Sequence, residues 1–176
     1  TYKMKIAICG KMCSGKSTLA NYIMSSYPGY QKYSFAQKVK ELCSELFAMK
    51  GKDRVLLINF ANKMRDIDGN VWVNQVLKQT EGKDNCIIDD VRYQNEVDAL
   101  IEDGWSFIQL NVPNELQKKR IMELYPDNYQ EHFNSMNHIS ERNEFVIPEG
   151  YPRLVLDTSE SNYHKNIQEV ILFMNQ

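Results

Sequence analysis

The sequence lacks the features that would place a protein in a membrane or on a nucleic acid. It has no apolar run long enough to cross a bilayer and no recognisable targeting segment. Its 21 basic and 23 acidic residues give a formal net charge of −2, without the basic excess that a nucleic-acid polymer usually requires. We therefore expect a cytoplasmic protein with no membrane or nucleic-acid polymer partner, whereas a mononucleotide would need only a few local cations.

The cysteines and histidines also lack the spacing of a disulfide framework or a metal site. Reduced thiols are expected at the four cysteines, which are Cys9, Cys13, Cys43 and Cys86. The histidines are not spaced like metal ligands, and they are His132, His138 and His164. The chemistry of the chain must therefore rest on other side chains.

Short apolar runs alternate with helical patterns along a chain of 176 residues, a length that suits one globular domain. The apolar runs predict strands over 4–9, 30–35, 85–89, 107–111 and 154–157. The polar, poorly periodic stretch 126–140 predicts a mobile lid. This alternation predicts an α/β fold, in which helices cover both faces of a parallel sheet and ligands bind at the carboxyl ends of the strands.

The strongest motif is the segment Gly10–Ser17, here called the phosphate loop, which fits G-x-x-x-x-G-K-[ST] at every fixed position. Glycines let the backbone curl so that successive N–H groups face phosphate oxygens, and the following helix adds its positive end. Lys16 would supply charge to the β- and γ-phosphates of ATP, and the Ser17 hydroxyl would bind Mg²⁺. The strand before it and the helix after it favour this interpretation over a glycine-rich turn that binds nothing. The residues assigned to ATP here are Gly10, Lys11, Cys13, Ser14, Gly15, Lys16, Ser17 and Thr18.

A second motif, Asp89-Asp90-Val91-Arg92, follows the predicted strand 85–89. A carboxylate at this place could orient Mg²⁺-bound water or accept a proton from an attacking oxygen. We assign Asp89 to the metal and Asp90 to the acceptor, and the opposite assignment stays open. Asp90 could instead cap the following helix. Arg92 could bind an acceptor phosphate with both of its terminal nitrogens, or it could form only a surface ion pair.

Two further cations are candidates for phosphate binding. Arg65 lies beside the apolar stripe of a predicted helix, and Arg120 closes the cluster Lys118-Lys119-Arg120. We prefer Arg120 within that cluster because an arginine fork matches phosphate oxygens better than a lysine does. For both arginines the alternative is a solvated helix face. The acceptor side would also include Phe35, Lys38, Trp72 and Tyr93.

With these residues placed, most of the chain resembles the deoxynucleoside monophosphate kinases of viral and phage type. The resemblance rests on the order of several segments, of which only the first is highly specific by itself. They are GKMCSGKST, YSFAQKVKELC, KMRDIDGNVWVNQ, CIIDDVRYQNEVDAL, NVPNELQKKR, HISERNE and LVLDTSES.

The resemblance implies a three-layer P-loop fold whose five parallel strands have the order 2-3-1-4-5. It implies a helical acceptor-binding segment near 36–82 and a lid near 113–145. ATP and Mg²⁺ would be the cofactors and a small nucleotide the acceptor. The enzyme would act in the cytoplasm, that of the host if it is viral, and the resemblance leaves a homodimer open.

The resemblance also implies roles for individual residues. Arg65 and Arg92 would hold the 5′-phosphate of the acceptor, and Arg120 would come from the lid. Ser140 and Glu141 would belong to a motif on the lid side. The segment 157–160 would approach the adenine of ATP, and within it the assigned residues are Asp157 and Ser159.

Two other functions compete with this assignment. A kinase on the same scaffold could phosphorylate another phosphorylated alcohol, such as phosphomevalonate, which needs cations rather than a base pocket. A nucleotide-dependent switch protein is disfavoured, since the guanine-reading N-K-x-D pattern is broken by Arg65 at its last position.

Overall fold

The computed structural model of the protein describes residues 3–176, and five of its strands form one parallel sheet. The strands are β1 (Met4–Gly10), β2 (Gln31–Tyr33), β3 (Asn85–Ile88), β4 (Ser106–Asn111) and β5 (Arg153–Asp157). Their order across the sheet is β2-β3-β1-β4-β5. This arrangement confirms the predicted parallel sheet and its strand order.

Helices connect the strands and cover both faces of the sheet. They are α1 (Lys16–Ser26), α2 (Phe35–Phe47), α3 (Arg54–Ile67), α4 (Val71–Thr80), α5 (Gln94–Glu102), α6 (Asn114–Leu124), α7 (Tyr129–Ser135), α8 (Ile139–Arg142) and α9 (Tyr163–Met174). A 3₁₀ turn, Glu160–Asn162, precedes α9. Within residues 3–176 no helix has both the length and the apolar content to traverse a lipid bilayer.

Strand β1 shows why the sequences of the central strands are continuously apolar. Successive side chains of a strand point to opposite faces of the sheet. Ile6 and Ile8 pack in the apolar cluster that includes residues of α1 and α9, whereas Ala7 and Cys9 pack in the cluster that includes residues of α2 to α5. Since helices cover both faces, both sets of side chains are buried.

The register of the sheet brings the ends of its strands to a common edge. Gly10 at the end of β1 pairs with Leu110 of β4, and Asn111 of β4 pairs with Asp157 of β5. On the other side, Tyr33 of β2 pairs with Ile88 of β3. The loops after β1, β3 and β5 therefore leave the sheet at the same edge, as the strand–helix alternation predicts.

Strand β2 is shorter than the predicted strand 30–35 because a helix begins at Phe35. The side-chain oxygen of Ser34 accepts a hydrogen bond from the backbone N–H of Gln37, so Ser34 caps α2. Because Ser34 caps this helix, the extended backbone ends at Tyr33, two residues before the predicted end of the strand.

The poorly periodic stretch 126–140, predicted to be a mobile lid, contains α7 and the start of α8. Tyr129 and Phe133 lie four residues apart on α7, and their ring centroids are 5.5 Å apart. The His132 ring packs 4.1 Å from that of Tyr125, and His132 is buried. Aromatic pairing on one face therefore supports a short helix in a segment whose composition is mostly polar.

Candidate functional site

The phosphate loop runs from the end of β1 to the start of α1. Gly15 has φ 98° and occupies the position before the first residue of α1, where it offers no side chain to cap the helix. The first backbone N–H groups of α1 are therefore not capped by a side chain, the state in which a helix N-terminus binds anions. Cys13 also has positive φ, at 60°, which is uncommon for a residue with a side chain.

Gly10 fits a gap too small for any side chain. A Cβ atom at this position would lie 2.3 Å from the Ser14 hydroxyl oxygen and 3.0 Å from the backbone oxygen of Leu110. Ser14 is fully buried, and its hydroxyl oxygen has no hydrogen-bond partner among the described residues. The loop thus folds tightly back over the end of β1.

The side chain of Lys16 folds back onto the first two residues of the phosphate loop. Its Nζ atom donates to the backbone oxygen of Gly10 at 2.7 Å and to that of Lys11 at 3.0 Å. Burial lowers the pKa of Lys16 below its ordinary value, Arg92 lowers it further, and the carboxylates of Asp89 and Glu141 oppose these effects. A partly buried ammonium group beside helix N–H groups that no side chain of the described residues caps is an arrangement that favours an anion.

The two aspartates after β3 have different partners. Asp89 forms an ion pair with Lys32, Nζ to Oδ2, at 3.4 Å. Asp90 accepts hydrogen bonds from the Ser34 hydroxyl at 2.7 Å and from the backbone N–H groups of Phe35 and Ala36 at 3.2 and 3.1 Å. Asp90 therefore caps a helix, but the helix is α2 rather than α5, the one that follows it in sequence.

Burial raises the pKa of Asp90 above its ordinary value, while the hydrogen bonds from Ala36, Ser34 and Phe35 oppose that shift. Both of its carboxylate oxygens are engaged by the start of α2. Among the described residues, the hydrogen-bond and ion-pair partner of the Asp89 carboxylate is Lys32 at 3.4 Å, so Asp89 is the less engaged of the two aspartates and the better placed for a ligand.

Arg92 and Glu141 connect the loop after β3 to the predicted lid. Their side chains form an ion pair in which the Glu141 carboxylate is largely buried, with 18% of the side chain exposed. The buried amide of Asn143 donates to the backbone oxygen of Val91 at 3.1 Å. Glu96 accepts from the backbone N–H groups of Arg92 and Tyr93, both at 2.9 Å, which fixes the loop that carries Arg92.

The other predicted acceptor residues divide between the surface and the core. The guanidinium of Arg65 lies 5.1 Å from the ring centroid of Tyr93, a cation–π contact, and also donates to Asn62 at 3.1 Å. Lys38 forms an ion pair of 3.6 Å with Glu41 on α2. Phe35 and Trp72 belong to the core, with 5% and 4% exposed.

The Trp72 indole N–H donates to the backbone oxygen of Ala61 at 3.2 Å, so this residue joins α4 to α3. The structure thus places Arg65, Tyr93 and Arg92 near one another through the fixed loop after β3. Phe35 and Trp72 are buried in the apolar cluster between the sheet and α2 to α5.

A cavity of about 790 Å³ opens beside the phosphate loop on the side of β5. Its walls come from the phosphate loop, α1, α6, the loop after β5 and α9. Its size is in the range of small-molecule sites. The predicted ATP-binding residues Thr18 and Ser159 line it. Asp157 is not one of the described lining residues, and its carboxylate accepts a hydrogen bond from the Ser159 backbone N–H at 2.9 Å.

Hydrogen bonds lower the pKa of Asp157, first that from the Ser159 backbone and then that from its hydroxyl. This loop is fixed on its other side as well, because the backbone N–H of Thr158 donates to the Asn111 oxygen at 2.9 Å. The loop after β5 is therefore well ordered for contact with a ligand.

Arg120 joins this loop to the phosphate loop. One terminal nitrogen donates to the backbone oxygen of Cys13 and the other to that of Thr158, each at 3.0 Å. Arg120 lies in α6, at the base of the predicted lid. In this structure both ends of its fork bind backbone.

Sequence reasoning missed the other walls of the cavity. They include the side chains of Tyr22, Tyr125, Asn166 and Ile167. The apolar stripe of α9 predicts that this helix packs on the protein. Its periodicity does not distinguish a side chain that lines a cavity from one that fills the core. Their approach to the phosphate loop depends on contacts between distant segments.

A strand, a tight glycine-rich loop and an uncapped helix at the edge of this sheet define a three-layer α/β P-loop protein. The chain belongs to the AAA-domain family, whose model matches residues 6–144. No protein with a curated description matches it in sequence.

Solved structures share the fold over nearly the whole chain. A sugar kinase from Janibacter sp. HTCC2649 is 15% identical with a TM-score of 0.62, covering 98% of this chain and 95% of its own. A gluconokinase from Sinorhizobium meliloti 1021 is 12% identical with a TM-score of 0.59, covering 99% and 93%. At these identities the likeness establishes the fold.

Proposed function

We propose that the protein transfers the γ-phosphoryl group of ATP to a small phosphorylated acceptor, a deoxynucleoside monophosphate. The observation that carries this proposal is the position of Lys16. Its ammonium group binds two backbone oxygens of a phosphate loop that lines a cavity of about 790 Å³. The charges of Arg92, Asp89 and Glu141, which are not among the described residues that line this cavity, shift the pKa of Lys16. A cavity large enough for a nucleoside beside Lys16, together with the cation Arg92 outside that cavity, fits a two-substrate kinase.

The donor would bind with its triphosphate in the phosphate loop and its nucleoside in the cavity. Free N–H groups of the loop and of α1 would bind phosphate oxygens. Lys16 would exchange the oxygens of Gly10 and Lys11 for those of the β- and γ-phosphates, which carry more negative charge. The sugar kinase and gluconokinase folds support a donor site of this kind.

The acceptor would bind near the loop after β3. Arg92, which is paired with Glu141 in this structure, and Arg65 would bind its 5′-phosphate. An oxygen of that phosphate would attack the γ-phosphorus, the bond from the γ-phosphorus to the β,γ-bridging oxygen would break, and ADP would leave. Lys16 would stabilise the negative charge on the transferring group, and the segment 113–145 would act as a lid that excludes water.

A divalent cation fits the donor set at this edge of the sheet. The Ser17 hydroxyl and the Asp89 carboxylate are hard oxygen donors of the type that Mg²⁺ takes alongside phosphate oxygens. When bound there, Mg²⁺ would neutralise phosphate charge.

The direct test is a screen of ribo- and deoxynucleoside monophosphates with ATP and Mg²⁺, measured as ADP formed. We expect at least one deoxynucleoside monophosphate to raise ADP formation well above the rate with ATP alone. No response to any nucleotide would reject the proposed acceptor.

A second acceptor class, phosphorylated alcohols, is favoured by one observation. Phe35 and Trp72, two of the aromatic residues predicted on the acceptor side, are nearly fully buried, so they provide no open aromatic surface for a base. The same screen should therefore include phosphomevalonate and a phosphorylated sugar. Turnover with one of these and with no nucleotide would select the second class.

Arg92→Ala should weaken use of the acceptor more than use of ATP. We expect the acceptor KM to rise about 10- to 100-fold, since a charge-assisted contact contributes about 1.5–3 kcal/mol, while the KM for ATP changes less than about twofold. The measurement is steady-state kinetics with each substrate varied in turn. Arg153→Ala is the matched control, because Arg153 is exposed at the opposite end of the sheet. An unchanged acceptor KM and kcat in Arg92→Ala would remove Arg92 from the site.

A further inference from the structure

Two side chains of α6 bind successive backbone oxygens of the phosphate loop. The Gln117 amide nitrogen donates to the oxygen of Met12 at 3.0 Å, and Arg120 donates to the oxygen of Cys13 at 3.0 Å. Gln117 and Arg120 are three residues apart, so they lie on the same face of the helix. Together they bind the two peptide groups that flank Cys13.

These contacts fix the direction of a backbone donor. In a trans peptide the C=O and N–H bonds point to opposite sides, so the Met12 oxygen that faces Gln117 directs the Cys13 N–H away from α6. Among the described residues, that N–H has no hydrogen-bond acceptor. It is thus a free donor in the loop that we propose to hold phosphates.

The conformation of Cys13 supports the same interpretation. Its φ of 60° lies in the left-handed region, which costs free energy for a residue with a side chain and persists only where the surroundings enforce it. The hydrogen bonds to the oxygens on either side of Cys13 provide that constraint.

The burial of Gln117 is unfavourable for the stability of the fold. It is 2% exposed, and its amide oxygen has no hydrogen-bond partner among the described residues. A buried acceptor without a partner destabilises a fold. The contact of its nitrogen with the phosphate loop is the compensating interaction that the structure shows.

We propose that Gln117 is a positioning residue for phosphate binding: with Arg120 it holds the Cys13 peptide so that the Cys13 N–H faces the phosphates of the nucleotide. This inference rests on the proposed ATP site. Gln117 is not among the described residues that line the cavity, and its contact is with the Met12–Cys13 peptide, so we expect its main effect on phosphate binding. The loop would be pre-organised before the nucleotide arrives.

Gln117→Met tests the proposal with little change of volume. Methionine removes the donor and also the unpaired oxygen, so the fold should be retained. We expect the KM for ATP and the Kd for ADP to rise about tenfold, the effect of one lost hydrogen bond. The kcat and the acceptor KM should stay within about twofold. Gln79→Met is the matched control, because Gln79 is exposed on α4.

The measurements are steady-state kinetics, calorimetry with ADP and a thermal melt. Unchanged ATP and ADP parameters in Gln117→Met would overturn the proposal. A fall in kcat and in melting temperature together with a rise in the acceptor KM would also overturn it, because these changes would show that Gln117 has a general packing role. If the wild-type protein binds ADP but phosphorylates no acceptor, the proposed function fails, and the tenfold change in the ADP Kd still supports the positioning role. If the wild-type protein binds no ADP, both fail.

Discussion

Lys16→Ala should lower kcat/KM for phosphoryl transfer by at least about 10³-fold while the protein stays folded. Removing one pre-organised donor from developing charge typically costs about 10²–10³-fold, and Lys16 is also the cation bound to the backbone oxygens of Gly10 and Lys11 in the phosphate loop. Stability should change little. The variant loses two hydrogen bonds to backbone oxygens but also removes an ammonium group whose burial is unfavourable, as its lowered pKa shows.

The measurement is ADP formation together with a thermal melt of the same preparations. Lys40→Ala is the control, because Lys40 is exposed on α2. Normal turnover by a folded Lys16→Ala protein would show that the loop takes no part in the chemistry. A variant that fails to melt cooperatively would point to a structural role for Lys16 instead.

Gly10→Ala should disrupt nucleotide binding by distorting the phosphate loop. The new Cβ atom would lie 2.3 Å from the Ser14 hydroxyl oxygen and 3.0 Å from the Leu110 backbone oxygen. The Leu110 oxygen is backbone of an interior strand, so rotation of the buried Ser14 side chain could relieve only part of this overlap. Since displacements of about 1 Å at a reacting site can reduce rates about 10²-fold, we expect a loss of at least that size in kcat/KM for ATP.

Gly69→Ala is the control for this substitution. A Cβ atom at Gly69 would have no heavy atom within 4 Å, and the loop in which it lies is far from Gly10 in the sequence. We expect wild-type kinetics and a melting temperature within a few degrees of the wild type. Equal activity of Gly10→Ala and Gly69→Ala would show that the loop tolerates a side chain, contrary to its geometry.

The sheet and the phosphate loop could be predicted because their signals are local. Apolar runs, helical stripes and the GKMCSGKS motif each lie within a short segment. The strand order came with the resemblance to a known family, and the structure confirms it. Capping by Ser34 shortened β2, and the aromatic pairing in α7 went unrecognised within a polar composition.

The partners of individual site residues could not be predicted in this way. Asp90 caps α2, a helix more than fifty residues before it, whereas the sequence suggested only the neighbouring helix. Arg120 binds oxygens of Cys13 and Thr158, which are 107 and 38 residues away. Trp72 was predicted to lie on the acceptor side but is buried in the core. The spacing of apolar and aromatic residues along a helix does not distinguish a side chain that lines a pocket from one that fills the core.

Binding of Mg·ATP to the wild-type protein and to Lys16→Ala, measured by titration calorimetry, tests the central claim most directly. We expect saturable binding to the wild type with a Kd of about 1 µM to 1 mM, the range of typical substrate constants. Lys16→Ala should bind at least about tenfold more weakly, since it lacks a charge-assisted contact. Absence of binding to the wild-type protein, or equal affinity in the two proteins, would contradict the assignment of this loop to the phosphates of ATP.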